Sequence, residues 1–272
     1  REGSTWEDVA RSSLNAGLTF GAMLALLEDR HSHWQSALAM LFAGVYAVTA
    51  RVLIAHPERS RRMLLVAVGI SSGFIALAFP LEASASWVAL GWSVQAAVLW
   101  WFGIRVEQRP LRLFAAALAI VAAGRIAFFD IPRLALAGFG REPYVPVANL
   151  MAAPALAAIA CLLVTLVLTR SRGARAPIAE RVFAAVGFVV CLLLVWYLVS
   201  VDLFEWFRPR DTEYWSYEWR RRASMWLSTW WAVYASTLLA VGFAARVGLL
   251  RWTALALYAL TVGKVFLVDM AG

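Results

Sequence analysis

The chain has 272 residues, of which 62% are hydrophobic and 15% charged, with a mean hydropathy of +0.70. A soluble domain cannot cover its surface with so little charge, so a polytopic membrane protein is expected. The net charge of +8 does not indicate nucleic acid, because the basic residues cluster in loops between apolar runs; the lipid bilayer is the expected partner and nucleic acid is not.

The first apolar run, 14–27, is cut short by Glu28 and Asp29 and is the least secure span. Eight more follow near 34–54, 63–79, 87–104, 111–129, 147–168, 182–201, 223–245 and 252–268. About 20 helical residues cross the hydrocarbon core, which most of these runs reach. They are apolar all round rather than alternating, which excludes β-barrel strands. The expected fold class is all-α: a polytopic transmembrane helical bundle of about nine spans. Pro80, Pro110 and Pro146 fall near the ends of runs, whereas Pro154 is expected to kink the sixth span.

Three loops form basic clusters: Arg51, Arg59, Arg61 and Arg62; then Arg105, Arg109 and Arg112; then Arg170, Arg172, Arg175 and Arg181. With nine spans these loops share one side, and the positive-inside rule makes that side the cytoplasm of a bacterial inner membrane, with the N-terminus inside and Gly272 outside. Cys161 and Cys191 fall inside spans, so no disulfide framework or thiolate metal site is expected, and no cofactor. The chain starts without Met and stops three residues after Asp269, so it is expected to be a segment of a longer protein.

The stretches 87–130 and 226–269 match without a gap at an offset of 139. Trp87/Trp226, Trp92/Trp231, Gly103/Gly242, Arg112/Arg251, Gly124/Gly263, Arg125/Lys264 and Asp130/Asp269 coincide. In so apolar a chain such coincidences point to a duplicated unit. The upstream pairs Arg51/Arg170, Arg62/Arg181 and Gly69/Gly187 extend the unit to four helices. The expected organisation is therefore an N-terminal segment (1–30) and two parallel four-helix repeats, 31–146 and 147–272. The change of offset requires an insertion at 202–222 in the second repeat, DLFEWFRPRDTEYWSYEWRRR, expected to be extracytoplasmic. The outer loop at 131–146 is rich in Pro and Gly and is expected to be irregular, with a short surface helix at 132–137.

The stretch 78–114, with Pro80-Leu81, Trp87, Trp92, Gly103-Ile104-Arg105 and Arg112, resembles the bacterial membrane proteins grouped as the domain of unknown function 2339 family. Arg125 with Asp130, Asn149, Pro154 and the run from Gly263 to Asp269 are similar to that family's downstream pattern. The resemblance implies a long chain of many helices with no settled activity. It also implies an acid in the helix after the paired tryptophans, where this chain has Gln95 and Tyr234.

Arg125 and Lys264 are the sharpest functional signals, since a cation within a span costs roughly 2.5 to 3.5 kcal/mol at the helix centre and is normally paired or functional. Asp130 and Asp269 follow them by five residues, about 140° around an α-helix. Pairing within one helix is therefore not expected. The alternatives are cross-pairing, Arg125 with Asp269 and Lys264 with Asp130, as a staple between repeats, or lining of a polar cavity for an anionic head group. In the insertion, Trp206 and Trp215 with Arg220 read either as an interfacial aromatic belt or as a platform for sugar rings and phosphate. Glu28 and Asp29, beside His31 and His33, are weak acid–base candidates; no other catalytic residue and no metal ligand is expected.

The leading expectation is a non-enzymatic protein that binds or translocates an amphipathic or anionic envelope component, a lipid or lipid-linked glycan, on its outer face. Its candidate binding residues are Arg125, Asp130, Lys264, Asp269, Trp206, Trp215 and Arg220. The alternatives are an enzyme that modifies a lipid-linked glycan using Glu28 or Asp29, and a scaffold that docks a periplasmic protein.

Overall fold

The structure, a computed structural model, describes residues 6–27, 34–55, 61–82, 85–133, 152–173, 176–208 and 217–270. These residues form nine α-helices and no strand: α1 (Trp6–Leu27), α2 (Gln35–Ala55), α3 (Arg61–Glu82), α4 (Ala85–Arg105), α5 (Arg109–Arg125), α6 (Ala153–Ser171), α7 (Ile178–Trp206), α8 (Tyr217–Ala244) and α9 (Gly248–Lys264). A single π-helical turn prolongs α5 over Ile126–Asp130 and α9 over Val265–Asp269. All of these helices except α1 belong to stretches long and apolar enough to cross a membrane. The first half of α1, with Glu7, Asp8 and Arg11, is too polar.

The protein is a polytopic helical bundle turned outward for lipid. Leu26, Phe128 and Leu267 are more than three-quarters exposed. Water would penalise such surfaces, whereas hydrocarbon solvates them. Helix contacts use small residues, which let backbones approach where apolar burial gives no driving force.

Contacts divide the chain into residues 1–120 and 121–272. In the first unit α2 and α3 pack through Ala39, Ala43 and Ala78, and Phe20 of α1 joins Phe42 and Phe74 with ring centroids 4.9 to 5.7 Å apart. Their tilted and edge-on arrangement suits the ring quadrupoles. In the second unit α8 and α9 pack through Ala235, Ala254 and Leu257, with Phe188 and Trp196 of α7 against them.

Two interhelical turns have the same construction. After α4, Gln108 N–H donates to Gly103 O (3.0 Å) and Glu107 N–H to Ile104 O (3.2 Å), with Glu107 at φ +55°. After α8, Val247 N–H donates to Gly242 O (3.0 Å) and Arg246 N–H to Phe243 O (3.2 Å), with Arg246 also at φ +55°. Both are Schellman caps in which an L-residue accepts the left-handed conformation. At each, the matched glycine has no Cβ because the matched arginine passes there: a Cβ on Gly103 would lie 2.8 Å from Arg112 Cγ, and one on Gly242 2.9 Å from Arg251 Cγ. Arg112 Nη1 also donates to Gly103 O at 2.9 Å.

One sequence expectation is corrected. Pro154 does not kink a helix; it lies in the first turn of α6, where a missing N–H costs nothing. Within 202–222, residues 202–206 belong to α7 and 217–222 to α8, and 209–216 lie outside the described residues. α7 has 29 residues against 22 in α3, and α8 has 28 against 21 in α4. Seven extra residues lengthen each helix by about 10 Å. The proposed surface helix at 132–137 falls mainly outside the described residues.

Candidate functional site

The strongest candidates lie where α5 and α9 pass into their π turns. A π turn closes with bonds from residue i+5 to i, as in Met270 N–H to Val265 O at 3.0 Å. Residues five apart then take the near-eclipsed relation that an α-helix reserves for residues four apart. Each cation consequently meets the Asp that follows it: Lys264 Nζ lies 2.9 Å from Asp269 Oδ1, and Arg125 Nε 3.8 Å from Asp130 Oδ1. This overturns the expectation that i and i+5 diverge and that the pairs exchange partners. Nothing in the composition announces the extra residue per turn.

The two pairs differ in their surroundings. Lys264 Nζ also donates to Ser224 O (3.0 Å), Ser224 Oγ (2.8 Å) and Ser228 Oγ (2.6 Å). Ser228 Oγ donates onward to Asp269 Oδ2 at 2.7 Å, and Ser224 Oγ donates to Asp269 Oδ1. The Trp231 ring centroid is 5.9 Å from the ammonium, within cation–π range. With side chains 11% and 16% exposed, Lys264 and Asp269 form a screened, fully hydrogen-bonded pair that ties α9 to α8. Asp130 is 7% exposed, yet neither of its carboxylate oxygens has a hydrogen bond among the described residues.

Sequence reasoning missed Ser224 and Ser228. Their signal was an i, i+4 spacing on one helix, weak in a chain where Ser and Ala are both common. The residues 139 positions earlier are Ala85 and Ala89, which carry no hydroxyl.

At the end of α7, Trp206 is exposed and its ring lies 5.3 Å from that of Phe207. Phe207 stacks on Trp226 at 6.2 Å. Arg220 sits over the Trp219 ring at 5.6 Å. These rings pack on one another and on cations. Trp215, Glu28, Asp29, His31 and His33 lie outside the described residues.

The family model described as Predicted membrane protein (DUF2339) matches residues 8–216. The chain belongs to the DUF2339 family. The match stops before the second Trp, Gly, Arg and Asp series, which begins at Trp226. No curated protein and no solved structure matches the chain.

Where the resemblance to DUF2339 implies an acid, Gln95 Nε2 donates to the Ser72 carbonyl and hydroxyl, and Tyr234 OH donates to Leu192 O at 2.9 Å. The tryptophans one turn earlier do likewise: Trp92 Nε1 donates to Ala76 O at 2.7 Å and Trp231 Nε1 to Ser200 Oγ at 2.9 Å. In this DUF2339 member these positions tie a helix to the preceding one. Such interhelical bonds replace the water that lipid excludes.

Proposed function

We propose that this bacterial inner-membrane protein binds or translocates an amphipathic envelope component, a lipid or lipid-linked glycan, and that the Arg125–Asp130 end of α5 is the working site. The reading takes the N-terminus as cytoplasmic and the ends of α5 and α9 as outer. It also takes the two halves as parallel repeats, supported by the paired Schellman caps, glycine–arginine contacts and π turns at one sequence offset.

One observation carries it: the buried Asp130 carboxylate, whose oxygens accept no hydrogen bond among the described residues. A carboxylate in a dry, apolar setting is costly unless donors satisfy it. Arg125 at 3.8 Å supplies attraction without a close hydrogen bond from its Nε. A ligand bearing hydroxyl or ammonium donors would complete Asp130, and its phosphate would face Arg125. π turns recur at functional sites, which favours the same reading. The Lys264–Asp269 pair is already satisfied internally and serves as structure.

The test is Asp130→Asn in the full chain, read by photo-crosslinking to a diazirine-bearing lipid or lipid-linked glycan together with thermal unfolding in detergent. Stability is expected to stay within about 1 kcal/mol of the parent, because a carboxylate without hydrogen bonds is exchanged for a neutral isostere. Crosslinking near Arg125 is expected to fall at least tenfold. Unchanged crosslinking, or a collapse of folding, would refute the assignment.

The scaffold reading keeps one supporting observation. The lengthened α7 and α8 carry exposed Trp206 and Trp226, a surface suited to a periplasmic protein. The enzyme reading rested on Glu28 and Asp29, outside the described residues.

A further inference from the structure

The paired arginines that bracket the α6–α7 connection are not used by the proposed site. Arg170 is in the last turn of α6 and Arg181 in the first turn and a half of α7. Gly173, at φ +54°, provides the left-handed residue that ends α6 and turns the chain back. Both arginines line a cavity of 520 Å³ whose other walls include Leu166 and Val167 of α6, Ala184 and Phe188 of α7, and Leu249 of α9.

The charge balance of this cavity is one-sided. No acid lines it, and neither Arg170 nor Arg181 has an ion pair among the described residues. Their neighbour Arg172 is neutralised by Glu180 at 2.9 Å, a pair outside the cavity wall. The wall hydroxyl of Thr169 is engaged with Thr165 O at 3.0 Å. The result is an apolar chamber with two uncompensated guanidinium groups in its wall. Its size falls in the range of built ligand sites, roughly 300 to 1,000 Å³.

We propose that this cavity is a binding site for an anionic glycerophospholipid, with an acyl chain along Leu166, Val167, Ala184 and Phe188 and the phosphate clamped between Arg170 and Arg181. Planar guanidinium groups match phosphate oxygens in pairs, and basic pockets between transmembrane helices hold anionic head groups. The first unit contains a related cavity of 440 Å³, lined by Ile75, Val94 and Phe102 with Arg51 in its wall. Arg51 matches Arg170 in the sequence alignment, so two places in the chain carry the same chemistry. This site lies at the arginine-bearing ends of helices and does not involve Asp130, so it and the reading above can fail separately.

The experiment is native mass spectrometry of the full chain in neutral detergent, titrated with phosphatidylglycerol, phosphatidylethanolamine or glycerol phosphate. The parent is expected to bind phosphatidylglycerol at least tenfold more tightly than phosphatidylethanolamine, and glycerol phosphate only weakly. Arg170→Gln with Arg181→Gln should weaken phosphatidylglycerol binding about 25-fold, on the scale of two surface cations. Ala184→Phe, which fills the chamber and leaves both cations, should weaken it at least tenfold. Equal binding of the two lipids, glycerol phosphate binding as tightly as phosphatidylglycerol, or an undiminished preference in the double arginine variant would overturn the proposal. The exposed arginines can be changed without touching the helix packing, so the test stands even if Ala184→Phe does not fold.

Discussion

The ends of α5 and α9 share a sequence plan and differ in how completely it is carried out. Both place a cation, a π turn and an Asp in succession, and in both the π turn folds the Asp back toward its cation. At α9 two serines of α8 close the arrangement into a hydrogen-bonded cluster. At α5 the carboxylate is more buried yet has no hydrogen bond among the described residues. The same arrangement of cation, π turn and Asp is thus closed by hydroxyls at one end and left open at the other, a difference that a hydroxyl in place of a methyl hydrogen, Ser against Ala, is enough to make.

The largest effect should come from Lys264→Met, which strands a half-buried Asp269 and is expected to cost about 3 kcal/mol, the low end for removing one partner of a buried pair. Unfolding in detergent by heat or denaturant measures it. A loss below about 1 kcal/mol would break the contrast, because the α9 pair would then not be structural. Next comes the double variant Ser224→Ala with Ser228→Ala, which keeps both charges and removes their hydroxyl partners. A loss of about 2 to 3 kcal/mol is expected in the same assay.

Gly103→Ala and Gly242→Ala sharpen the shared half of the comparison. Each Cβ would press on an arginine Cγ at under 3 Å and on that arginine's backbone N, at 3.2 Å for Arg112 and 3.1 Å for Arg251. Each should lose about 1 to 3 kcal/mol, with the two values alike. Clearly unequal losses would show that the turns are not equivalent. Smallest of all, Glu107→Gly and Arg246→Gly should each raise stability by about 0.5 kcal/mol, the relief of a left-handed L-residue less the greater entropy of glycine in the unfolded chain. If either lowers the melting temperature, its side chain contributes more than the backbone strain removes.

Much of the fold was legible because hydrophobic runs are long-range averages that tolerate local error. The spans from α2 to α9 follow from them, and membership of DUF2339 follows from the Trp, Gly and Arg pattern. The matched Gly103/Gly242 and Arg112/Arg251 were visible as coincidences, though their contact across a turn was not. The site was half legible. Arg125, Asp130, Lys264 and Asp269 stand out because charge is rare in a span. Their pairing was misjudged because an α-helical angle was applied where the backbone inserts an extra residue per turn. Ser224 and Ser228 stayed hidden among ordinary small residues.

The amino-acid sequence alone determined that this chain is helical and membrane-embedded, since burying so many apolar side chains without charge leaves lipid as the only solvent that fits. It also determined where rare cations and acids must be accommodated. Only the tertiary structure decided which of those charges are satisfied, because a hydrogen bond depends on ångström-scale placement between helices far apart in the chain. A one-residue change of helical register, invisible in composition, alters every such partner.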